Sequence, residues 1–443
     1  MEKGMFSTAN VGQSFFLVEK IVPNVCIPVQ ILVQCCVYTK EGRDFMNFIF
    51  LSPNFPKTYY HFTQCLKNNG VTTLGIGDAP YEELGAECQD SLVEYYKVSS
   101  LENYDEVYRA VAFFAFKYGR IDWLETNNEY WLLRDAQLRT DFNVTTGLQN
   151  KNIDGIKYKS KMKEFYAKAG VPTARYHLVD TLENGLAFVK EAGYPVIVKP
   201  DNGVGAAATY KLKNEDDLRN FYANLPAVQY VMEEFINGDI VSYDGICDSN
   251  RDIIFETCHF YTEPVMDVAN KGLELCYYSR KQIPEDLKDA GRRTIKAFDS
   301  NSRFFHCEFF VLKEDKAGLG KKGDIFGLEV NMRPPGGYTP DMMNYANDID
   351  VYQIWADMVC HDKGFFDPAH RPYAAAYASQ RNWKNYAHSR EEIFAKYGQS
   401  IVMYEEMPEV LANVMGDHAY MARFATDEEV QEFLNFVIEK KEG

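Results

Sequence analysis

The run GLEVNMRPPGG, residues 327–337, sets a carboxylate, an amide and a guanidinium at alternate positions: Glu329, Asn331 and Arg333. In an extended strand, side chains two residues apart share a face, so the three can act together. A second apolar run, FFHCEFFVL (304–312), carries Glu308, and the charged, glycine-bearing stretch between the two runs predicts an antiparallel hairpin. Paired in that way, Glu308 lies beside Glu329, with Asn331 two residues further along the same face. Adjacent carboxylates repel each other unless a cation neutralises them. Oxygen ligands without thiol or imidazole favour Mg2+ or Mn2+. His306 shares the face of Glu308, as an ordinary strand histidine or as its neighbour in an outer shell.

Upstream, YPVIVKPDNGVGAAATYKL (194–212) ends an apolar strand at Lys199-Pro200 and opens into a loop with Gly203, Gly205 and Ala206. Such a loop brings backbone N–H groups close to phosphate oxygens, and Lys199 adds charge; the plainer alternative is a flexible hairpin turn. It is not a P-loop, because no Gly-Lys-Ser/Thr follows, and GLGKKG (318–323) lacks the hydroxyl as well. Gly75-x-Gly77 lacks the third glycine of a dinucleotide loop. In MEEFINGD (232–239), the backbone from Glu234 through Phe235 to Ile236 offers an edge to an adenine, and Glu233 and Asp239 offer acids to its amino group or to ribose hydroxyls. Arg280 and Lys281, before a helical stretch, are candidates for a substrate carboxylate or are solvated bases. Gly336 and Gly337 are candidates for presenting N–H groups to an anion.

These side chains need a frame. From Met46 the chain alternates strands and helices (NFIFLSP, GVTTLGIGD, IDWLETNNEYW), the pattern of a small parallel α/β domain, and ETNNEYW (125–131) brings polar residues to a strand end facing a cleft. KYKSKMKEFYAKAGVP (157–172) reads as an amphipathic helix stopped by Gly170 and Pro172, with its lysines mostly solvated. Residues 361–443 read as a small α/β appendage that closes the fold. The stretch FFLVEKIVPNVCIPVQILVQCCVY (15–38) is too polar and too broken by proline for a spanning helix, and residues 1–45 are expected to be an extension outside the fold.

With 443 residues and 46% hydrophobic content, the chain is long enough for several packed units. Its formal charge of -17 opposes binding to nucleic-acid backbones and anionic membranes, so an anionic substrate must meet local cations. Ten cysteines without zinc-like spacing are expected to be reduced thiols.

Taken together, Lys159, Lys199 with its Gly/Ala loop, MEEFINGD, Glu308 and Glu329-x-Asn331-x-Arg333 resemble the ATP-grasp superfamily, and the RPPGG ending resembles its carboxylate-amine ligases. The resemblance covers about residues 46–443 and implies an α/β and α+β chain: an ATP-grasp fold behind an N-terminal Rossmann-like pre-ATP-grasp domain. The implied boundaries are 46–150 for that domain, 151–230 for a lid subdomain, 231–360 for a metal-bearing catalytic subdomain and 361–443 for the appendage. It further implies that Lys159 and Lys199 hold ATP phosphates beneath the 203–208 loop. Glu233 to Ile236 would cradle adenine, while Glu308, Glu329 and Asn331 would hold Mg2+ or Mn2+. Arg333 would stabilise charge on a transferring phosphoryl or acyl phosphate. Many relatives carry a ribose-binding Glu where this chain has Ile240, which leaves Asp239 or Asp244 for that role.

The implied activity is ATP-dependent ligation of a carboxylate to an amine, or to a thiol, through an acyl phosphate with release of ADP and phosphate. Phosphorylation of bicarbonate and non-catalytic nucleotide sensing are the alternatives. No internal repeat is present, so the chain resembles one half of a carbamoyl-phosphate synthase large subunit. Small-molecule substrates, no nucleic-acid or membrane partner and a cytoplasmic location are expected, with a homodimer left open.

Overall fold

The computed structural model describes residues 46–203 and 208–441. The expected extension at residues 1–45 and the loop positions Gly205 and Ala206 lie outside the described residues.

The first sheet contains β1 (Asn47–Leu51), β2 (Thr72–Gly77), β3 (Glu94–Lys97) and β4 (Trp123–Glu125), all parallel, in the order β3-β2-β1-β4. Every residue of β1, NFIFL, is buried, as a parallel strand covered on both faces requires. The helix Tyr104–Tyr118 starts where the Asn103 side chain accepts the Glu106 N–H, carries Asp105 and Glu106 in its first turn, and stops at Gly119. This strand order reverses direction between β1 and β4. The carboxyl ends of those two strands therefore flank a crevice of the kind where α/β sheets bind ligands.

A second sheet holds β5 (Tyr176–Leu178), β6 (Val196–Pro200), β7 (Tyr210–Leu212) and β8 (Tyr230–Glu234) in the order β5-β8-β6-β7. Antiparallel pairing of β6 with β8 sets Ile197 opposite Glu233 and Lys199 opposite Val231. The third sheet comprises β9 (Gly238–Cys247), β10 (Ile253–Tyr261), β11 (Cys276–Ser279), β12 (Arg303–Leu312), β13 (Ile325–Asn331), β14 (Ala374–Gln380), β15 (Ile401–Glu406) and β16 (His418–Phe424). Its order is β13-β12-β9-β10-β11-β14-β16-β15.

Alternation divides this large sheet chemically. Phe305, Cys307 and Phe309 of β12, Val330 of β13 and Tyr243 of β9 bury against Met162 and Tyr166 of the helix Lys159–Lys168 and Leu287, Ala290 and Ile295 of the helix Glu285–Ala297. Each fully buried side chain of this size contributes about 2–3 kcal/mol. The helices come this close because glycines lie beneath them: a Cβ on Gly327 would sit 2.4 Å from the Tyr166 ring, and one on Gly291 2.3 Å from the Tyr243 ring. His306, Glu308, Glu329 and Asn331 occupy the opposite face.

The C-terminal strands continue the third sheet. β14 pairs with β11, setting Cys276 opposite Ala378, and β16 and β15 continue the same sheet. The alanine-rich β14 is buried at every position, which suits a strand in the middle of a sheet. Among the described residues no helix is long and apolar enough to cross a membrane.

Candidate active site

The hairpin of β12 and β13 pairs Glu308 with Glu329 and His306 with Asn331. This is the cross-strand arrangement expected from the sequence. Behind it, the Tyr166 hydroxyl lies 3.3 Å from the Glu308 carbonyl and 3.1 Å from the Glu329 carbonyl, clamping the two strands at the positions that carry the acids. His306 pairs through Nδ1 with Asp244 Oδ1 at 2.5 Å and turns Nε2 towards Glu308 Oε1 at 3.5 Å. Burial alone would lower the His306 pKa, but the Asp244 and Glu308 carboxylates push it up to about 9. Among the described residues no three His, Cys, Asp or Glu side chains converge as metal ligands. Two carboxylates and an amide nevertheless suit Mg2+, which keeps several waters and takes further oxygens from its substrate.

The lysines of residues 157–168 are not mostly solvated. Lys157, Lys159 and Lys163 are 7%, 3% and 5% exposed. Lys159 and Lys163, one helical turn apart, face inward together because buried acids compensate them. Lys159 Nζ donates to the Gly203 carbonyl at 2.8 Å and pairs with Glu329 Oε1 at 3.1 Å. Lys163 and Lys199 share Glu233, at 2.6 and 2.7 Å. Burial would raise the Glu233 pKa, yet these two ammonium groups hold it down at about 2. Burial likewise opposes the charge on Lys199, but Glu233 and Glu329 hold its pKa above the ordinary lysine value. Asp201, which the sequence did not single out, accepts from the Ser160 backbone N–H and hydroxyl at 2.8 Å each, anchoring the start of the lysine helix to the loop after β6.

The segment Glu233 to Ile236 is in place, but its acids face protein cations. Glu233 holds the two lysines, so it does not stand open to an adenine amino group. Glu234 is bound by Arg175 at 2.7 and 2.9 Å and by Lys316 at 2.5 Å. Lys316 also donates to the Phe235 carbonyl, and Lys211 lies 3.5 Å above the Phe235 ring. Ile236 is buried with Leu312 and Phe326. Asp239 is exposed and paired with Lys313 at 2.7 Å. Asp244, the other acid considered for ribose, is fully buried between His259, His306 and Ser242, which removes it from that role.

Arg333 pairs with Glu129, and its Nη1 donates to the Pro334 carbonyl at 2.8 Å. Burial disfavours the Arg333 charge, but Glu129 holds its pKa above the ordinary arginine value. Glu129 follows the carboxyl end of β4, so the ETNNEYW segment does reach the site. Gly336 has no neighbouring atom where a Cβ would sit, and Gly337 adopts φ 62, a conformation that glycine takes freely. Both are exposed just ahead of the helix Thr339–Asn347, where backbone N–H groups are free of helical partners.

Arg280 is the sequence candidate that the structure does not bring in. It shares a face with Tyr278, lies 4.2 Å over the Phe260 ring and sits 3.6 Å from Asp427, on the side of the sheet opposite Glu308. Strand parity decides this, since Tyr277, of the opposite parity, turns towards Tyr261 and Tyr377.

Residues 157–305 match the family model described as the ATP-grasp domain. The chain carries an ATP-grasp domain. Among curated relatives it is 25% identical over 157 residues to the carbamoyl phosphate synthase large chain of Methanothermobacter thermautotrophicus, covering 34% of this chain and 14% of that protein. It is 24% identical over 183 residues to D-alanine--D-alanine ligase B of Clostridium perfringens, covering 40% of this chain and 57% of the relative. Among solved structures, the ATP-grasp fold of this chain is similar to that of the L-amino acid ligase from Bacillus licheniformis, with a TM-score of 0.65 at 15% identity over 88% of this chain and 96% of that one.

Proposed function

We propose that this protein is an ATP-dependent ligase that joins a carboxylate to an amine through an acyl phosphate. The observation that carries the reading is the convergence of Glu308, Glu329 and Asn331 with Lys159, Lys199 and Arg333. Lys159 and Lys199 are the groups to hold phosphate oxygens, exchanging their present partners Glu329 and Glu233 for the nucleotide. Glu308, Glu329 and Asn331 would hold Mg2+, which supplies charge neutralisation to the nucleotide phosphates. Arg333, released from Glu129, would face charge developing on the transferred group.

The substrate carboxylate oxygen forms a bond to the γ-phosphorus as the bond to ADP breaks. The amine nitrogen then attacks the acyl carbon, phosphate leaves and the nitrogen gives up a proton. Such chemistry requires positioning and electrostatics rather than a protein nucleophile. A cytoplasmic location fits the cysteines of the described residues, which are free thiols.

The test is phosphate release with Mg-ATP over pools of amino acids and small carboxylic acids, with products read by mass spectrometry. Release that needs one acid and one amine, and falls at least about 100-fold in Glu329→Gln, supports the proposal. Release stimulated by bicarbonate alone would replace the carboxylic substrate with carboxyphosphate chemistry. Nucleotide binding without release from any pool would leave a sensor.

A further inference from the structure

Lys157 closes the short helix Asp154–Lys157, immediately ahead of the pair Tyr158-Lys159. That helix packs on β13, the strand of Glu329 and Asn331. The other cations of the site each have an acid: Lys159 has Glu329, Lys163 and Lys199 share Glu233, and Arg333 has Glu129. Lys157 is 7% exposed and has neither a hydrogen-bond acceptor nor an ion-pair partner among the described residues. Burial lowers its pKa; Glu129 and Glu329 pull it back up, Lys159 and Arg333 push it down, and it settles below the ordinary lysine value. These four groups place Lys157 within the field of both the metal-bearing hairpin and the Arg333–Glu129 pair.

Holding an ammonium without an acid on a largely buried side chain is costly. The cost is offset if an anion arrives. Among Lys157, Lys159, Lys163, Lys199 and Arg333, Lys157 is the member left without an acid.

We propose that Lys157 is an oxyanion-binding residue of the ligase site, taking oxygens of the group in transit: the substrate carboxylate or the phosphoryl that becomes joined to it. The inference rests on the ligase reading above. It extends that reading to a second cation beside Arg333, supplied by the segment ahead of the lysine helix.

Calorimetry on the full chain tests it, comparing wild type with Lys157→Met and Lys157→Arg. Mg-ADP is titrated first, and inorganic phosphate is then titrated into the Mg-ADP complex, where it stands in for the transferred phosphoryl. In parallel, the KM of the acid that stimulates phosphate release is compared with the KM of ATP. A loss of phosphate affinity of about tenfold or more in Lys157→Met, with Mg-ADP affinity unchanged and partial recovery in Lys157→Arg, assigns the phosphoryl oxygens. Unchanged phosphate affinity with a similar rise in the KM of the acid alone assigns the carboxylate.

Wild-type values on both arms in a folded Lys157→Met protein would overturn the proposal. So would equal losses for Mg-ADP and phosphate, which mark a merely structural lysine. Should Lys157→Met not fold, Lys157→Gln keeps the side chain polar and is read in the same way. Failure of wild type to bind Mg-ADP at all would count against the ligase reading rather than against Lys157, whose phosphate arm is then read on the nucleotide-free protein.

Discussion

At the scale of single residues, the site is held in a ready state by internal ion pairs, and Glu233 is the clearest of them. Its carboxylate is buried between Lys163 and Lys199 and stays ionised down to about pH 2, against an ordinary value of 4.5. Because the folded-state pKa is depressed, the stability this group contributes is fully present above about pH 4.5 and is lost as pH falls towards 2. Glu233→Gln leaves two buried ammonium groups without their acid, and breaking such a pair costs about 3–5 kcal/mol. Urea unfolding at neutral pH should show that gap, and it should narrow steadily when the comparison is repeated from pH 4.5 down to the acid limit of folding. A gap independent of pH would mean that Glu233 is not the anion that pairs these lysines. Lys199 was readable in the sequence because a lysine at the end of an apolar strand, before a glycine loop, is conspicuous. Lys163 was not, because a lysine on a helix looks solvated until the acid facing it is known, and Glu233 lies far away along the chain.

At the scale of elements, the hairpin of β12 and β13 owes its precision to what lies behind it. Tyr166 reaches the carbonyls of Glu308 and Glu329 from a helix that can approach because Gly327 has no side chain. Gly327→Ala would put a methyl 2.4 Å from the Tyr166 ring. The expected result is a loss of about 1–3 kcal/mol, seen as a lower unfolding midpoint, together with reduced turnover as the two acids shift. An unchanged midpoint with full turnover would separate the helix from the hairpin's geometry. The pairing of Glu308 with Glu329 was legible from the alternation of Glu329, Val330 and Asn331, whereas the register shift beside it, which turns Gly327 to the face opposite Glu329, was not. Arg280 shows the limit of the same logic: its parity relative to Tyr277 was visible, but which face of β11 meets the site depends on neighbouring strands from distant parts of the chain. The alanine-rich β14 was hidden for a related reason, since small residues carry a weak strand signal until both flanking strands are in place.

At the scale of the whole molecule, the first sheet contributes directly to the site through Glu129, which follows β4 and holds Arg333 from 204 residues away in the chain. The alternation of strands and helices from Met46 made that sheet readable, whereas the ion pair depended on how the sheet sits against the hairpin of β12 and β13. In a chain of net charge -17, the buried lysines among the described residues, Lys157, Lys159, Lys163 and Lys199, all lie around the proposed site. The central claim is that a carboxylate oxygen becomes bonded to phosphorus at this site. It is tested most directly by supplying the stimulating acid with 18O in its carboxylate, together with Mg-ATP and the amine, and weighing the phosphate released. The account predicts one 18O atom in each phosphate formed by ligation. Phosphate free of label, alongside a ligated product, would show that the acid is activated some other way and would contradict it.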